Sequence, residues 1–415
     1  MSKFLEFWCQ NFGVRHLLVD LFVLLALNGL EMKKIREKQE LTDLEKAACL
    51  TGKQMGGIAL KAPGWGSGKR RRFIFDDRTC CYHTMSRVSG GDLLFGEIEK
   101  EAFRKIMRRL ERFSGVEVLT YAVMGNHFHL LLRVPERAQL LRKFEKGTRA
   151  EREAYLLEHL KTLYSHAYLK QLRAELDFMT EQGLEDRYQK TIQGFLNRMG
   201  SLKHFMKELK ERFSRWFNKR HGRRGTLWEE RYRSILVEDG EALRTMAAYI
   251  DLNPVRAGLV DDPKDYRWCG YAEALGGSKR ARRGLCLALG LRVADWQADH
   301  GESYRRLLLG QGIESGDESK GRQKGQDRPL RRGMARAKAL AELREGKTLS
   351  KAELLRCRVR YFTDGLVLGS REFVEQAFQE RRSWFGTKRK TGARSLPVED
   401  DHLFALRNLK ERALE

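Results

Sequence analysis

The sequence lacks the cysteine pattern of a disulfide framework or of a thiolate zinc site. Its 415 residues include seven cysteines, an odd number, scattered along the chain without a Cys-x-x-Cys pair. A reducing compartment is therefore expected.

A membrane-spanning segment is also missing from the sequence. The longest apolar stretch, residues 16–30, contains Asp20 and is shorter than the ~20 residues that a spanning helix needs. We expect an amphipathic or buried leading helix there, or a loosely constrained extension. A signal peptide with Lys3 and Arg15 as its basic region is the alternative, but no small-x-small cleavage site follows.

Acidic residues are too few to balance the basic ones. The chain has 80 Lys and Arg against 56 Asp and Glu, which gives a formal charge of +24. Because 41% of the residues are hydrophobic and 10% aromatic, the chain can still bury a sizeable core and is not a disordered polycation. The excess indicates a polyanionic partner, with nucleic acid first and an anionic membrane surface second.

Proline is scarce, and none of the six prolines lies between Pro135 and Pro254. Apolar residues at helical spacing fill much of that stretch, so we predict a helical insertion over about 136–200 and then a helix over 202–220. A polar, Gly-rich break at 310–329 predicts a linker. The predicted segments are an N-terminal extension (1–72), a central domain (73–275), a connector with the linker (276–329) and a helical module (330–415).

Strand patterns occur mainly before Pro135. Residues 81–88, 116–123 and 127–134 are β-branched, aromatic or alternating, and the last two form a predicted hairpin. A helix between the first two strands, a fourth strand near 227–237 and a helix over 241–252 complete the order. This order predicts an α+β fold with a ferredoxin-like antiparallel sheet and flanking helices, to which the helical insertion and the helical C-terminal module are added.

Two histidines share one face of the predicted third strand. His127 and His129 alternate with Phe128, so both imidazoles point the same way while the opposite face is apolar. Such a pair can bind one divalent metal ion. On this feature alone, an incidental pair of partly exposed histidines is the more common case.

The predicted helix EALRTMAAYIDLNP places two polar side chains one turn apart. Tyr249 and Asn253 are four residues apart, close to the end that Pro254 imposes. The first is a phenol, and the amide oxygen of the second could bind a hard metal ion. The plain alternative is a half-buried tyrosine and a C-terminal asparagine.

Basic residues gather between positions 202 and 233, where few acids balance them. The aromatic residues of this run keep helical spacing and are expected in the core, whereas the loop HGRRGTLW could grip phosphates. The predicted DNA-contacting residues are Lys203, Lys207, Lys210, Arg215, Lys219, Arg220, Arg223, Arg224, Arg231 and Arg233.

Three blocks, in this order, closely resemble the HUH-class single-tyrosine transposases, and within them the REP-associated tyrosine transposases. The blocks are YAVMGNHFHLLLRV, SLKHFMKELKERFSRWFNKRHGRRGTLWEERYRSILV and AAYIDLNPVRAGLV, and the resemblance covers about residues 73–275. It implies that His127, His129 and Asn253 are metal ligands and that Tyr249 is the catalytic nucleophile. Gly125 departs from the family, which often has proline there, and affects turn rigidity more than chemistry.

The resemblance also implies an activity. A Mg²⁺ or Mn²⁺ ion would assist Tyr249 in cleaving and rejoining single-stranded or hairpin DNA, such as palindromic repeats, through a 5′-phosphotyrosine. The step needs no ATP, and the sequence has no Walker-type GxxxxGK[ST] loop. We expect a cytoplasmic, nucleoid-associated protein with no membrane partner, and a homodimer is left open.

Alternatives remain open at this point. A domesticated protein could bind hairpin DNA without cleaving it. The sheet could also be an RNA-recognition platform, but no RNP-like aromatic strand is evident and Tyr249 and Asn253 would then have no task. The C-terminal module, with a capping box at Ser350 and Glu353, fits a helix-turn-helix unit that contacts DNA or a helical cap on the central domain.

Overall fold

The computed structural model describes residues 72–292, 296, 304–305, 307–308, 355, 361–396 and 402–406. The predicted N-terminal extension, apart from its last residue, lies outside these residues, and so do the Gly-rich linker and nearly all of residues 330–360 of the predicted helical module. None of the helices in the described ranges is long and apolar enough to span a bilayer.

Four antiparallel strands carry the candidate site. They are β1 (Cys80–Arg87), β2 (Glu117–Val123), β3 (His127–Val134) and β4 (Arg233–Val237). Their order is β2-β3-β1-β4, and each neighbouring pair is antiparallel. Strand β1 therefore lies between β3 and β4. As a result, β1, which carries His83, is the direct neighbour of β3, which carries His127 and His129.

Helices flank this sheet. In chain order they are α1 (Glu97–Ser114), α2 (Arg137–Glu145), α3 (Arg149–Leu160), α4 (His166–Glu181), α5 (Glu185–Leu196), α6 (Leu202–Arg220), α7 (Glu241–Asp251), α8 (Asn253–Arg256), α9 (Gly270–Leu275), α10 (Lys279–Leu289), α11 (Tyr361–Asp364) and α12 (Arg371–Glu380). Helices α2 to α5 fill the stretch between β3 and α6.

Helices α1 and α6 pack on one face of the sheet. Phe103 of α1 contacts Phe128 of β3 with ring centroids 4.7 Å apart, and Met206 of α6 lies 3.4 Å from the hydroxyl of Thr84 on β1. Because side chains alternate along a strand, the histidines of β1 and β3 point to the other face. We call this second face, which carries His83, His127 and His129, the histidine face.

Helix α7 and the C-terminal region cover the histidine face. Strands β5 (Val367–Gly369), β6 (Arg394–Ser395) and β7 (Phe404–Ala405) extend the sheet in the order β4-β5-β7-β6, with β5 parallel to β4. This pairing brings α11 over the face. Every α7 residue from 245 to 251 is consequently buried.

The C-terminal region differs from the prediction of a helical module. Its described part contains helices α11 and α12 but also three short strands that join the central sheet. A three-residue apolar run such as Val367–Gly369 is too short to display a period, and its partner β4 lies far earlier in the chain. Local pattern therefore could not reveal this pairing.

A buried carboxyl group joins α7 to β2. Asp251 accepts hydrogen bonds from the hydroxyls of Thr120 and Tyr304, both at 2.8 Å, and from the backbone N–H of Tyr271 at 3.2 Å. Burial raises the pKa of Asp251 to about 7. These bonds hold the last turn of α7, which carries Tyr249, against the sheet.

Helix α10 approaches β2 closely through a glycine. A Cβ atom at Gly284 would lie 2.5 Å from the carbonyl oxygen of Val118 and 2.6 Å from that of Leu119. Backbone atoms cannot rotate away, so we expect Gly284→Ala to lower the free energy of unfolding by about 1–3 kcal/mol. Denaturant unfolding followed by circular dichroism measures this change.

The matched control is Gly194→Ala on α5. No atom outside its own helix lies within 4 Å of the added Cβ there, and helix propensity favours alanine. We expect this variant to be neutral or slightly stabilised. Equal stability of the two variants would contradict tight packing of α10 on β2.

Candidate active site

Strand β3 places His127 and His129 on the histidine face, under α7. Their ring centroids are 5.2 Å apart and the rings are nearly perpendicular, at 85°. His129 is 2% exposed, whereas His127, at the start of the strand, is half-buried. The Nδ1 atom of His127 donates to the amide oxygen of Asn126, 2.7 Å away, because that oxygen can only accept.

Tyr249 lies against His129. Their ring centroids are 6.5 Å apart and the rings are perpendicular, at 88°. Tyr249 is only 1% exposed, since the ring of Phe362 on α11 packs edge-on at 4.8 Å. The structure thus brings the predicted nucleophile and a predicted ligand together, beneath a C-terminal cover.

Helix α8 follows Tyr249 by one turn and carries Asn253. This side chain is half-buried, and its Nδ2 atom faces the carbonyl oxygens of Ile250 and Tyr249 at 3.2 and 3.4 Å. The amide nitrogen is therefore turned back towards the helix. Its Oδ1 atom is the one that could bind a metal ion.

Arg256 was not identified from the sequence. Its guanidinium carbon lies 3.9 Å from the ring centroid of Tyr249, and the group donates to the carbonyl oxygens of Tyr249 at 2.6 Å and Leu355 at 2.8 Å. The only signal in the sequence was its spacing, seven residues after Tyr249, which is two helical turns. A fixed positive charge thus lies against the phenol ring.

His83 on β1 was not identified either. Its Nε2 atom lies 2.8 Å from Nδ1 of His129, with the two rings stacked at 17°, and its Nδ1 atom lies 2.7 Å from the carbonyl oxygen of Phe362. Burial lowers the pKa of His83 to about 4, and the charge of Arg256 contributes in the same direction. His83 is therefore neutral at pH 7.

These residues fit part of a metal coordination sphere. Two imidazoles and an amide oxygen suit a divalent ion, and the δ nitrogens of His127 and His129 already bond to Asn126 and His83. A metal ion would therefore be bound through the Nε2 atoms. Within the described ranges no cluster of three or more His, Cys, Asp or Glu side chains could hold a metal. Such a donor set would leave coordination positions for water and substrate oxygens.

The predicted DNA-contacting residues are distributed over both faces of the sheet. A cleft of about 930 Å³, here called the basic cleft, lies between α6 and residues 225–232. Its floor includes Met206, which also contacts Thr84, so the cleft is on the face opposite the histidines. The predicted residues that line it are Lys203, Lys207, Lys210, Arg215 and Arg231.

The other five predicted residues lie outside the lining of this cleft. Arg220 is 3.6 Å from the carboxylate of Glu99, and Arg233 forms an ion pair with Asp364 of α11 on the histidine face. The remaining three, Lys219, Arg223 and Arg224, are exposed.

Lys210 lines the basic cleft and is expected to make any DNA binding there sensitive to pH. Burial, with the nearby charge of Arg72, lowers the pKa of Lys210 to about 8. The side chain loses its charge as the pH rises through this value, so we expect weaker binding of a hairpin oligonucleotide at pH 9 than at pH 7. The charged fraction of Lys210 falls from about nine-tenths at pH 7 to about one-tenth at pH 9, so the slope of log K against log salt should become shallower by about 0.7.

The control for this effect is Lys210→Arg, whose guanidinium keeps its charge up to pH 12. We expect its salt slope to be the same at pH 7 and pH 9 in fluorescence-anisotropy titrations. A pH dependence that is unchanged in the variant would assign the titration to another group.

The basic cleft and the histidine face meet at one end of the sheet. Arg87, the exposed last residue of β1, pairs directly with His127, and the backbone N–H of Glu229 donates to the carbonyl oxygen of Arg87. Segment 225–232, one wall of the cleft, therefore lies beside the end of the strand pair where His127 is located.

The chain has a distant structural likeness to a solved protein. No protein-family model matches the chain, and no curated protein matches its sequence. Among solved structures it is similar to a REP-associated tyrosine transposase bound to a REP hairpin, with 13% identity and a TM-score of 0.31, over 56% of this chain and 92% of that chain. At this level of similarity, functional conclusions about this chain rest on its own site geometry.

Proposed function

We propose that the chain is a metal-dependent DNA strand transferase that cuts and rejoins single-stranded or hairpin DNA through Tyr249. One observation carries the proposal: Tyr249 lies perpendicular to His129 at 6.5 Å, beside a second histidine on the same strand face. A nucleophile next to a pair of metal-binding groups is what attack on a charged phosphodiester requires. A cytoplasmic, nucleoid-associated location accords with this activity.

The fold supports the same proposal. The antiparallel order β2-β3-β1-β4, with α1 and α6 on one face, is the order of a ferredoxin-like unit. We assign residues 73–275 to that unit, with α2 to α5 as its insertion. Helix α7 packs on the face that the two crossover helices leave open, and this position brings Tyr249 to the histidines.

The proposed step exchanges one P–O bond for another. The Oη atom of Tyr249 attacks phosphorus and its proton leaves to solvent, while the P–O3′ bond breaks and the 3′ oxygen takes up a proton. A Mg²⁺ or Mn²⁺ ion bound by His127, His129 and Asn253 would polarise the non-bridging oxygens. Because a phosphodiester-type bond is conserved in the 5′-phosphotyrosine, the free 3′-OH can reverse the step without ATP.

Two basic elements support the substrate. Arg256, whose guanidinium lies over the Tyr249 ring, would stabilise negative charge that develops on the phenol during attack. The basic cleft would hold the DNA strand, which would pass the exposed Arg87 to reach His127. The cleft and the site thus have separate tasks, holding and cutting.

The experiment is to incubate the protein with hairpin and single-stranded oligonucleotides and Mn²⁺. We expect a protein–DNA adduct that survives denaturation and that does not form when EDTA is present from the start. No adduct with any of several hairpins would overturn the proposal.

The burial of Tyr249 favours a second candidate, a hairpin-DNA-binding protein that does not cleave. At 1% exposure, the phenol is closed to a phosphate while α11 stays in place. This candidate predicts tight, salt-sensitive binding that is unchanged in His127→Ala, with no strand cut at any Mn²⁺ concentration.

A further inference from the structure

We propose that His83 is a positioning residue of the metal site, which holds His129 in the tautomer and ring orientation that present Nε2 to a metal ion. The inference rests on the proposed function of this site. It adds a residue that lies outside the predicted ligand set and comes from a different strand.

A row of hydrogen bonds runs from the carbonyl oxygen of Phe362 through His83 to His129, and the direction of each bond follows from that carbonyl oxygen. The carbonyl oxygen of Phe362 can only accept, so Nδ1 of His83, 2.7 Å away, must carry a proton. A neutral imidazole has one N–H group, and Nε2 of His83 is therefore an acceptor. Its partner at 2.8 Å, Nδ1 of His129, must then donate. The proton of a neutral His129 is thus on Nδ1, and its Nε2 atom carries the lone pair that a metal requires.

The row also restrains the ring of His129. His83 is paired with Leu131 across the β1–β3 ladder, so the two imidazoles meet diagonally, stacked at 17° with centroids 5.1 Å apart. Both are at most 2% exposed. Three elements far apart in sequence, β1, β3 and α11, thus fix one ring.

The two predicted histidine ligands are held differently. The Nδ1 partner of His127 is its neighbour Asn126, in the half-buried turn between β2 and β3, whereas that of His129 is a core residue on another strand. We expect the ring orientation of His129 to be the same with and without a metal ion, and the ring of His127 to change its orientation when a metal ion binds. Outer partners of this kind orient ligands in known metal sites.

The first test needs no variant, metal or DNA. Full-length protein with ¹⁵N-labelled histidine is examined by long-range ¹H–¹⁵N NMR, which distinguishes the two neutral tautomers. We expect His129 as the Nδ1–H tautomer. Finding the Nε2–H tautomer would overturn the inference even if the protein forms the Tyr249 adduct.

The second test measures Mn²⁺ affinity of the full chain by electron paramagnetic resonance. We expect His83→Phe, which keeps a ring but has no acceptor, to bind Mn²⁺ about 10–100-fold more weakly. His83→Gln offers an amide oxygen to Nδ1–H of His129 and should recover most of this loss. His204→Phe, on α6 beside Ser201, is the control and should bind as the wild type does.

The outcomes separate this inference from the proposed function. Wild-type affinity in His83→Phe, or an equal loss in His83→Phe and His83→Gln, would overturn the positioning role alone. A missing adduct, combined with the Nδ1–H tautomer and Mn²⁺ binding that depends on His83, would overturn strand transfer alone. If His83→Phe does not fold, the tautomer of His129 in the wild type and the Mn²⁺ affinity of His83→Gln still test the positioning role.

Discussion

Tyr249→Phe is expected to abolish the covalent protein–DNA adduct and to leave hairpin binding unchanged. The substitution removes one oxygen atom, while the ring keeps its contacts with Phe362 and Arg256. Loss of a nucleophile costs on the order of 10⁴-fold or more in rate, so no adduct should be detectable by denaturing electrophoresis. Binding should persist because the basic cleft is on the other face of the sheet.

The matched control is Tyr82→Phe. Tyr82 is also fully buried, and its hydroxyl accepts a hydrogen bond from the N–H of Phe75, away from the site. This variant should form the adduct as the wild type does. An undiminished adduct in Tyr249→Phe would mean that another residue is the nucleophile.

His127→Ala should separate cutting from binding. We expect strand cleavage in Mn²⁺ to fall on the order of 10³-fold, equivalent to several kcal/mol of transition-state stabilisation. Hairpin affinity should stay within about twofold, because the cationic side chains that we propose to contact phosphates are those of the basic cleft. Cleavage of a labelled hairpin and anisotropy titrations of the same oligonucleotide measure the two effects side by side.

His166→Ala is the control for this pair of measurements, since His166 is exposed at the start of α4. Both activities should be retained in it. Cleavage that survives in His127→Ala would contradict the metal-site assignment. Loss of binding together with cleavage would show that DNA is held on the histidine face and not in the cleft.

Local periodicity was enough to predict the elements that carry the site. The predicted helix over 202–220 coincides with α6, and the predicted strand over 127–134 coincides with β3. Alternation along β3 also put His127 and His129 on one face. Each of these inferences depends on residues that are near one another in sequence.

The features that were missed depend on long-range register. His83 meets His129 only because β1 and β3 pair with Met85 opposite His129. Tyr249 is covered only when strand β5 pairs with strand β4. Strand β5 has three residues, which are too few to show a sequence pattern that predicts its partner strand. The basic run could be recognised as basic, but the side of the sheet it occupies is set by the packing of α6.

The contact between His83 and Phe362 joins residues 279 positions apart. During translation the central strands leave the ribosome long before residues 361–369 do. Until then β4 presents an open edge, Tyr249 has no cover and His83 has no carbonyl acceptor. Because of this order of synthesis, the site is completed only when the last part of the chain has been made. We expect a nascent polypeptide that ends before residue 361 to bind a metal ion more weakly than the full chain, although it already contains the basic cleft.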